Sequence, residues 1–154
     1  MITEGGTLRV TEIFHSIQGE STLAGRRGSF VRLTGCNLRC VWCDTAYAFE
    51  GGEAIPVEEI VRRVEAHGTR LVLVTGGEPL AQPAVHSLMR ALLERGMEVM
   101  LETGGSLEVG EVDPRVRIIM DLKCPGSGMD AKNRWENLRA MKSFDEVKFV
   151  ISDR

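Results

Sequence analysis

The sequence predicts an α/β fold in which a parallel sheet forms a partial, incomplete (βα) barrel. Short apolar runs, typical of strands buried on both faces, recur at 71–74, 99–101, 116–120 and 147–151. Between them lie stretches whose apolar side chains repeat at the spacing of an amphipathic helix. Strands and helices that alternate along a chain form right-handed βαβ units, and such units build a parallel sheet.

Three helices are expected between these strands. Pro56 suits the first turn of a helix, and an apolar stripe follows it over 57–64. A second stripe covers 85–92, and a third, weaker pattern surrounds Trp135 and Leu138. Each stripe repeats with a period near 3.6 residues, which is the period of a helix that buries one face.

The N-terminal part of the chain is less regular. Residues 29–33 alternate between apolar and polar side chains and indicate an early strand. Residues 8–20 are apolar without a clean period, so we expect an extension packed onto the sheet. We treat 1–154 as one domain, with 1–28 as an N-terminal extension.

Composition excludes several classes of protein. The 154 residues carry 19 Lys and Arg against 22 Asp and Glu, a formal charge of −3, so no nucleic-acid partner is expected. No apolar run approaches the ~20 residues that span a bilayer, and no membrane partner is expected. The first residues lack the pattern of a signal peptide, which favours a cytoplasmic location.

The most informative motif is a cluster of three cysteines directly after the strand at 29–33. Cys36, Cys40 and Cys43 have the spacing C-x3-C-x2-C, which suits three ligands of a 4Fe–4S cluster. Three thiolates leave one iron open for a substrate or cofactor. The alternative is half of a zinc site with Cys124 as the fourth ligand, although zinc sites usually pair two close couples of ligands.

A second motif, Gly76-Gly77-Glu78, follows the strand at 71–74. Paired glycines at the end of a strand let a ligand approach the backbone, and a carboxylate there can accept hydrogen bonds from an ammonium group. Such a loop alone is more often a plain turn, so its position one βα unit after the cysteines makes it informative.

The cysteine motif, with Trp42 before its last member, resembles the signature of radical S-adenosylmethionine (SAM) enzymes. Further motifs resemble the 7-carboxy-7-deazaguanine synthase family, over a stretch from about residue 13 to the last residue. They are the segments 18–20, 30–40, 42–45, 102–104 and 121–128.

The resemblance implies a radical SAM barrel and a carbon–nitrogen lyase of queuosine biosynthesis, a tRNA modification pathway. The implied reaction contracts 6-carboxy-5,6,7,8-tetrahydropterin to 7-carboxy-7-deazaguanine with loss of ammonia. A 5′-deoxyadenosyl radical formed from SAM would abstract hydrogen from the substrate. The implied cofactors are a 4Fe–4S cluster, SAM and Mg2+. The implied partners are an electron donor such as flavodoxin or ferredoxin, and a second copy of the chain in a homodimer.

The resemblance also implies roles for residues at matching motif positions. Cluster ligation falls to Cys36, Cys40 and Cys43, Mg2+ ligation to Thr45, and catalysis to Glu102, which would hold or deprotonate the pterin. The residues expected to line SAM are Trp42, Cys43, Asp44, Gly76, Gly77, Glu78, Asp121, Leu122 and Lys123. The residues expected to contact the pterin are Ile17, Gln18, Gly19, Arg32 and Thr75, so the N-terminal extension would carry substrate contacts.

The sequence departs from the family pattern in a few loops and at its end. Ser21 and Gly104 stand where relatives commonly have Gly and Asn. The sequence ends directly after the predicted strand at 147–151, where relatives continue, so we expect a chain truncated at its C-terminus. Two alternative functions are a radical SAM activase that makes a glycyl radical on another protein, and a non-catalytic metal-binding module.

Overall fold

Seven strands form one mixed sheet in the part of the chain described by the computed structural model, residues 5–152. The strands are β1 (Thr7–Ile17), β2 (Arg27–Leu33), β3 (Glu53–Pro56), β4 (Leu71–Gly76), β5 (Glu98–Thr103), β6 (Arg117–Leu122) and β7 (Glu146–Phe149). Their order across the sheet is β3-β1-β2-β4-β5-β6-β7. The five strands β2, β4, β5, β6 and β7, which are neighbours in that order across the sheet, are parallel. Strand β1 is antiparallel to both β2 and β3.

Two α-helices, α1 (Val57–Glu65) and α2 (Val85–Glu94), cover one face of the sheet. Both bury the stripe that predicted them, and Pro56 lies at the N-cap of α1. The remaining helical segments are short 3-10 turns at Ala46–Ala48, Pro79–Ala81, Pro125–Ser127, Asp130–Lys132 and Trp135–Ala140. The predicted α/β class, the parallel strands and the first two helices are therefore confirmed.

The segment predicted as an extension is a full strand of the sheet. β1 forms ladders with β2 and with β3, and its register shifts between Val10 and Glu12. A bulge at that point reverses the alternation of side chains, which explains why residues 8–20 show no clean period. The first four residues of the predicted N-terminal extension lie outside the described residues.

The third predicted helix is wrong. Residues Trp135–Ala140 form a 3-10 turn in which the side chains of Trp135 and Leu138 are largely exposed. The residue that this turn buries is polar: Asn137 donates to the carbonyls of Gly105 and Leu107 and accepts from the Val109 amide. A side-chain amide, not an apolar stripe, attaches this segment to the fold.

The second face of the sheet is divided into an apolar half and an open half. Toward the N-terminal ends of the parallel strands, Phe30, Leu73, Met100 and Ile119 form a small second core. The loop between β1 and β2, residues 18–26, packs Leu23 against this core. The C-terminal half of the same face stays open, which is where parallel sheets usually bind ligands.

No helix within residues 5–152 combines the length and the apolar character that a bilayer crossing would need.

The fold predicts opposite outcomes for two leucines. Leu88→Ala removes a fully buried side chain of α2 and should lower the free energy of unfolding by ~2–5 kcal/mol. Leu138→Ala removes a side chain that is 43% exposed and should change it by less than ~0.5 kcal/mol. Chemical denaturation measures both, and equal losses would contradict the packing described for residues 135–140.

Candidate active site

A cavity of about 480 Å³ opens at the C-terminal ends of the parallel strands. It is lined by all but two of the residues predicted to form a site. Those that line it are Gln18, Gly19, Arg32, Cys36, Cys40, Trp42, Cys43, Asp44, Thr45, Thr75, Gly76, Gly77, Glu78, Glu102, Asp121 and Lys123. Residues predicted for the cluster, for SAM and for the substrate thus share one wall.

Ile17 and Leu122 do not line the cavity. Ile17 ends β1 with its side chain 61% exposed. Leu122 is buried in the core beneath the helices. Successive side chains of a strand point to opposite faces, so Asp121 and Lys123 reach the cavity while Leu122 points away from it.

The three cysteines lie on the loop after β2, all half-buried and free. The Leu38 amide donates to Cys36 Sγ at 3.4 Å, and Cys43 Sγ lies 3.7 Å from Thr45 Oγ1. Burial raises the pKa of the Cys36 thiol, so a metal bound there would have to displace a proton. Cys124, the fourth ligand of the zinc alternative, does not line the cavity that the three share.

The donor set fits an iron–sulfur cluster better than a single metal ion. Within residues 5–152, no three His, Cys, Asp or Glu side chains converge as ligands of one ion would. Cluster thiolates bind separate irons and need not converge on one point. The three cysteine sulfurs, half-buried on one loop and with an N–H donor to one of them, are suitable ligands for such a cluster.

The glycines of the second motif let the loop after β4 touch the loop after β2. A Cβ atom on Gly77 would lie 2.2 Å from the Gly35 carbonyl oxygen, and one on Gly76 would lie 2.3 Å from that of Leu33. Gly76 also has a φ of +151°, which side chains disfavour. The Glu78 amide then donates to the Gly35 oxygen at 2.8 Å, joining the two loops.

Glu78 is almost fully buried and joins the ends of β4 and β5. Its carboxylate accepts hydrogen bonds from the amides of Leu80 and Gly104 and from Thr103 Oγ1. Burial raises the pKa of Glu78, against the opposing effect of these donors and of Lys123. This joining role was not part of the sequence prediction.

A band of polar side chains crosses the open face. Arg32 on β2 donates from Nε to Glu12 at 2.7 Å, and its guanidinium lies 5.8 Å from the ring centre of Phe14. On the next strands, Thr75 Oγ1 donates to Glu102 Oε2 at 3.1 Å. Burial raises the pKa of Glu102, although the nearby charges of Lys148 and Arg32 and the Thr75 hydroxyl oppose the shift.

The band continues onto β6 and β7. Lys123 Nζ lies 3.0 Å from Asp121 Oδ2, and Lys148 Nζ lies 3.9 Å from the same oxygen. Asp121 Oδ1 is buried without a hydrogen-bond partner among the described residues. Because Asp121 lines the cavity, this unpaired oxygen can accept a hydrogen bond from a bound ligand.

Sequence reasoning missed several residues of this wall. They are Glu20, Phe30, Leu38, Phe49, Leu73, Gly104, Ile119, Lys148 and Val150. The sequence does carry a signal for Lys148, because it is the one charged residue in the apolar run at 147–151. A charged side chain in a buried strand is expected to face a cavity or a charged partner. Lys148 stands directly opposite Asp121 in the β6–β7 ladder.

Comparison with known proteins gives one family. Residues 30–143 match the Radical SAM superfamily. The 7-carboxy-7-deazaguanine synthase of Koribacter versatilis is 47% identical over 150 residues, covering 96% of this chain and 66% of that protein. The enzyme of the same name from Chlorobaculum tepidum is 52% identical over 145 residues, covering 94% and 66%. That from Thermoplasma acidophilum is 40% identical over 146 residues, covering 94% and 70%.

The chain thus spans about two thirds of the length of these curated relatives. Among solved structures, the crystal structure of QueE from Escherichia coli matches with a TM-score of 0.80 and 24% identity. The match covers 96% of this chain and 72% of that chain, and at this identity it supports the fold alone.

The contact between the two loops predicts a specific effect of adding one methyl group. Gly77→Ala should lower the free energy of unfolding by ~1–3 kcal/mol, because the new Cβ would collide with the Gly35 carbonyl. The variant should also retain less iron after reconstitution. The control is Gly110→Ala, whose Cβ would have 3.6 Å to its nearest neighbour. Equal stability of the two variants would contradict the contact.

The raised pKa of Glu102 predicts a pH-dependent loss of stability. Its native pKa lies above the ordinary value of 4.5, so the native state holds the proton more tightly than the unfolded chain does. The stability that this protonation contributes is fully present below pH 4.5, and it is lost as pH rises through the native pKa of Glu102.

Denaturation at several pH values tests this expectation. Relative to Glu102→Gln, the wild type should lose stability as pH rises above 4.5, by at most ~1.4 kcal/mol per pH unit. The exposed Glu108→Gln is the matched control. A difference between wild type and Glu102→Gln that stays constant with pH would refute the assignment.

Proposed function

Because the chain belongs to the 7-carboxy-7-deazaguanine synthase family of the radical SAM superfamily, we propose that it carries out that family's reaction. The proposed substrate is 6-carboxy-5,6,7,8-tetrahydropterin, and the products are 7-carboxy-7-deazaguanine and ammonia. One observation supports this most strongly: the three cysteines, the glycine loop and the polar band line the same cavity.

Membership of the superfamily implies a 4Fe–4S cluster and SAM as cofactors. When bound, they supply the one-electron chemistry that generates an organic radical. We propose that Cys36, Cys40 and Cys43 hold the cluster. The residues proposed to line SAM are Trp42, Asp44, Gly76, Gly77, Glu78, Asp121 and Lys123. The close loop contact, which keeps side chains out, supports a role for Gly76 and Gly77.

The substrate is proposed to lie against the polar band. Arg32 is bonded to Glu12 through Nε, which directs the planar guanidinium and leaves its terminal nitrogens for the substrate carboxylate. Gln18, Gly19 and Thr75 line the same part of the cavity. Gln18 is buried, with its Oε1 accepting from the Glu20 amide, so its side chain is already oriented.

Glu102 is proposed to move the proton that the loss of ammonia requires. Its Oε2 accepts from Thr75, which leaves Oε1 to carry a proton. A raised pKa keeps part of the population protonated closer to neutral pH, as a general acid needs. The departing amine could then take its proton from Oε1.

Mg2+ is proposed to bind Thr45 together with substrate oxygens, since a hydroxyl oxygen suits this hard cation. Thr45 lines the cavity beside Cys43.

We also propose an electron donor such as flavodoxin or ferredoxin, a homodimer and a cytoplasmic location. The names of the relatives favour this function over a glycyl-radical activase. Among the described residues the three cysteines do not converge on one point, which favours the radical SAM function over a zinc-binding module.

The proposed reaction is tested by incubating the reconstituted protein with SAM, a reductant and the carboxytetrahydropterin. Mass spectrometry should detect the deazapurine. Arg32→Ala should raise KM for the pterin at least ~10-fold while leaving the iron content unchanged. Arg63→Ala is the matched control, because Arg63 pairs with Glu59 at 2.7 Å on α1, away from the cavity. No product from a fully reconstituted wild type would contradict the proposal.

The cluster assignment is tested by two cysteine variants. Cys40→Ala should lose the cluster, so that iron falls from about four atoms per chain toward zero and SAM cleavage stops. Cys124→Ala should keep both, because Cys124 does not line the cavity. Iron analysis and visible absorption after anaerobic reconstitution measure the difference. An intact cluster in Cys40→Ala would refute the ligand set.

A further inference from the structure

We propose that Lys148 is a positioning residue that anchors the turn Gln18-Gly19-Glu20 against β7 and so shapes the substrate side of the cavity. The inference rests on the proposed function, because the turn is the one assigned to the pterin there. The role follows from the contacts of Lys148 with acidic residues on two other elements of the fold.

The ammonium group of Lys148 lies between two carboxylates of different elements. Its Nζ is 2.6 Å from Glu20 Oε2, on the loop between β1 and β2, and 3.9 Å from Asp121 Oδ2 on β6. All three residues line the cavity. The Glu20–Lys148 pair therefore connects the N-terminal loop to the last strand of the sheet, across the open face.

The base and the tip of this loop are held in different ways. At the base, the Gln18 amide donates to the Arg26 carbonyl and the Gly25 amide to the Gln18 carbonyl, both at 2.8 Å. At the tip, the contacts with β7 are made by side chains of that strand. Besides the Lys148 pair, Glu146 accepts from the amide and the hydroxyl of Thr22. Removing a β7 side chain should therefore release the tip without unfolding the base.

The backbone of the tip gives a reason for needing an anchor. Ser21, directly after Glu20, has a φ of +67°, a conformation that disfavours residues other than glycine. A turn held in such a conformation persists only when its surroundings fix it. The Glu20–Lys148 pair is one of the contacts that hold it.

The charge of Lys148 also matters for an anionic substrate. Besides Lys148, the cations that line the cavity are Arg32 and Lys123. The acidic residues that line it are Glu20, Asp44, Glu78, Glu102 and Asp121. Without Lys148 the lining would carry five acidic residues against two basic ones. A substrate carboxylate would then be repelled more strongly, and Glu20 would lose its ion-pair partner.

The pair contributes little to folding, which makes its role separable from stability. Glu20 is 52% exposed, and ion pairs with such exposure contribute little to the free energy of folding. Lys148→Met should therefore shift the melting temperature by no more than ~2–4 °C. A variant that folds normally but handles the substrate poorly is the expected outcome.

The first test is amide hydrogen exchange of residues 19–24 in the reconstituted protein without pterin. Lys148→Met should exchange ~3–5-fold faster there than the wild type, because the tip loses one of its two contacts with β7. Lys148→Arg should restore protection, since a guanidinium can pair with Glu20. Lys142→Met is the matched control: Lys142 pairs with Asp145 at 2.7 Å, is 23% exposed and does not line the cavity.

The second test separates KM from kcat with 6-carboxytetrahydropterin. Lys148→Met should raise KM ~10-fold and change kcat less than ~3-fold, and Lys148→Arg should recover most of the affinity. Glu20→Gln should also raise KM, but by less, because it loosens the tip while removing one negative charge from the lining. The double variant Glu20→Gln/Lys148→Met should add little to either single change, as expected for two partners of one contact.

Unchanged exchange at residues 19–24, or additive effects of the two substitutions, would overturn the inference. If Lys148→Met does not fold, Glu20→Gln carries both readouts. A wild type that never turns over the pterin would contradict the proposed function instead. In that case faster exchange still supports anchoring by Lys148, and unchanged exchange still overturns it.

Discussion

The site depends on a contact between two stretches of backbone that have no side chains between them. Gly76 and Gly77, after β4, lie so close to Leu33 and Gly35 that any Cβ would collide with a carbonyl oxygen. This contact holds the cysteine loop at the end of the sheet, and Glu78 extends it to β5 through buried hydrogen bonds. The proposed cluster loop is thus attached to three successive parallel strands.

The alternation of side chains along those strands explains the rest of the cavity. One face carries the core beneath α1 and α2, and the other carries a short apolar core that continues into polar residues toward the strand ends. The loop at 18–26 covers the apolar part and leaves the polar part open. Arg32, Thr75 and Glu102 therefore meet in one cavity although they lie on three strands.

Much of this arrangement could be predicted from the sequence, because buried strands, amphipathic helices and the cysteine spacing are local patterns. The sequence does not predict β1 as a strand, because its bulge after Val10 interrupts the alternation of side chains. The pattern around Trp135 predicts a helix because it does not reveal that Asn137 is the buried residue. The Lys148 contact joins residues 128 positions apart, and no local pattern reports such a contact.

The cysteine loop and the glycine loop together form the proposed site for a cluster and SAM. Electron paramagnetic resonance of the reduced, reconstituted protein tests it most directly, with spectra recorded before and after SAM is added. The expected result is a cluster signal whose g values change when SAM binds, because SAM would bind the iron that the three cysteines leave open. A cluster signal that stays the same at saturating SAM would contradict it.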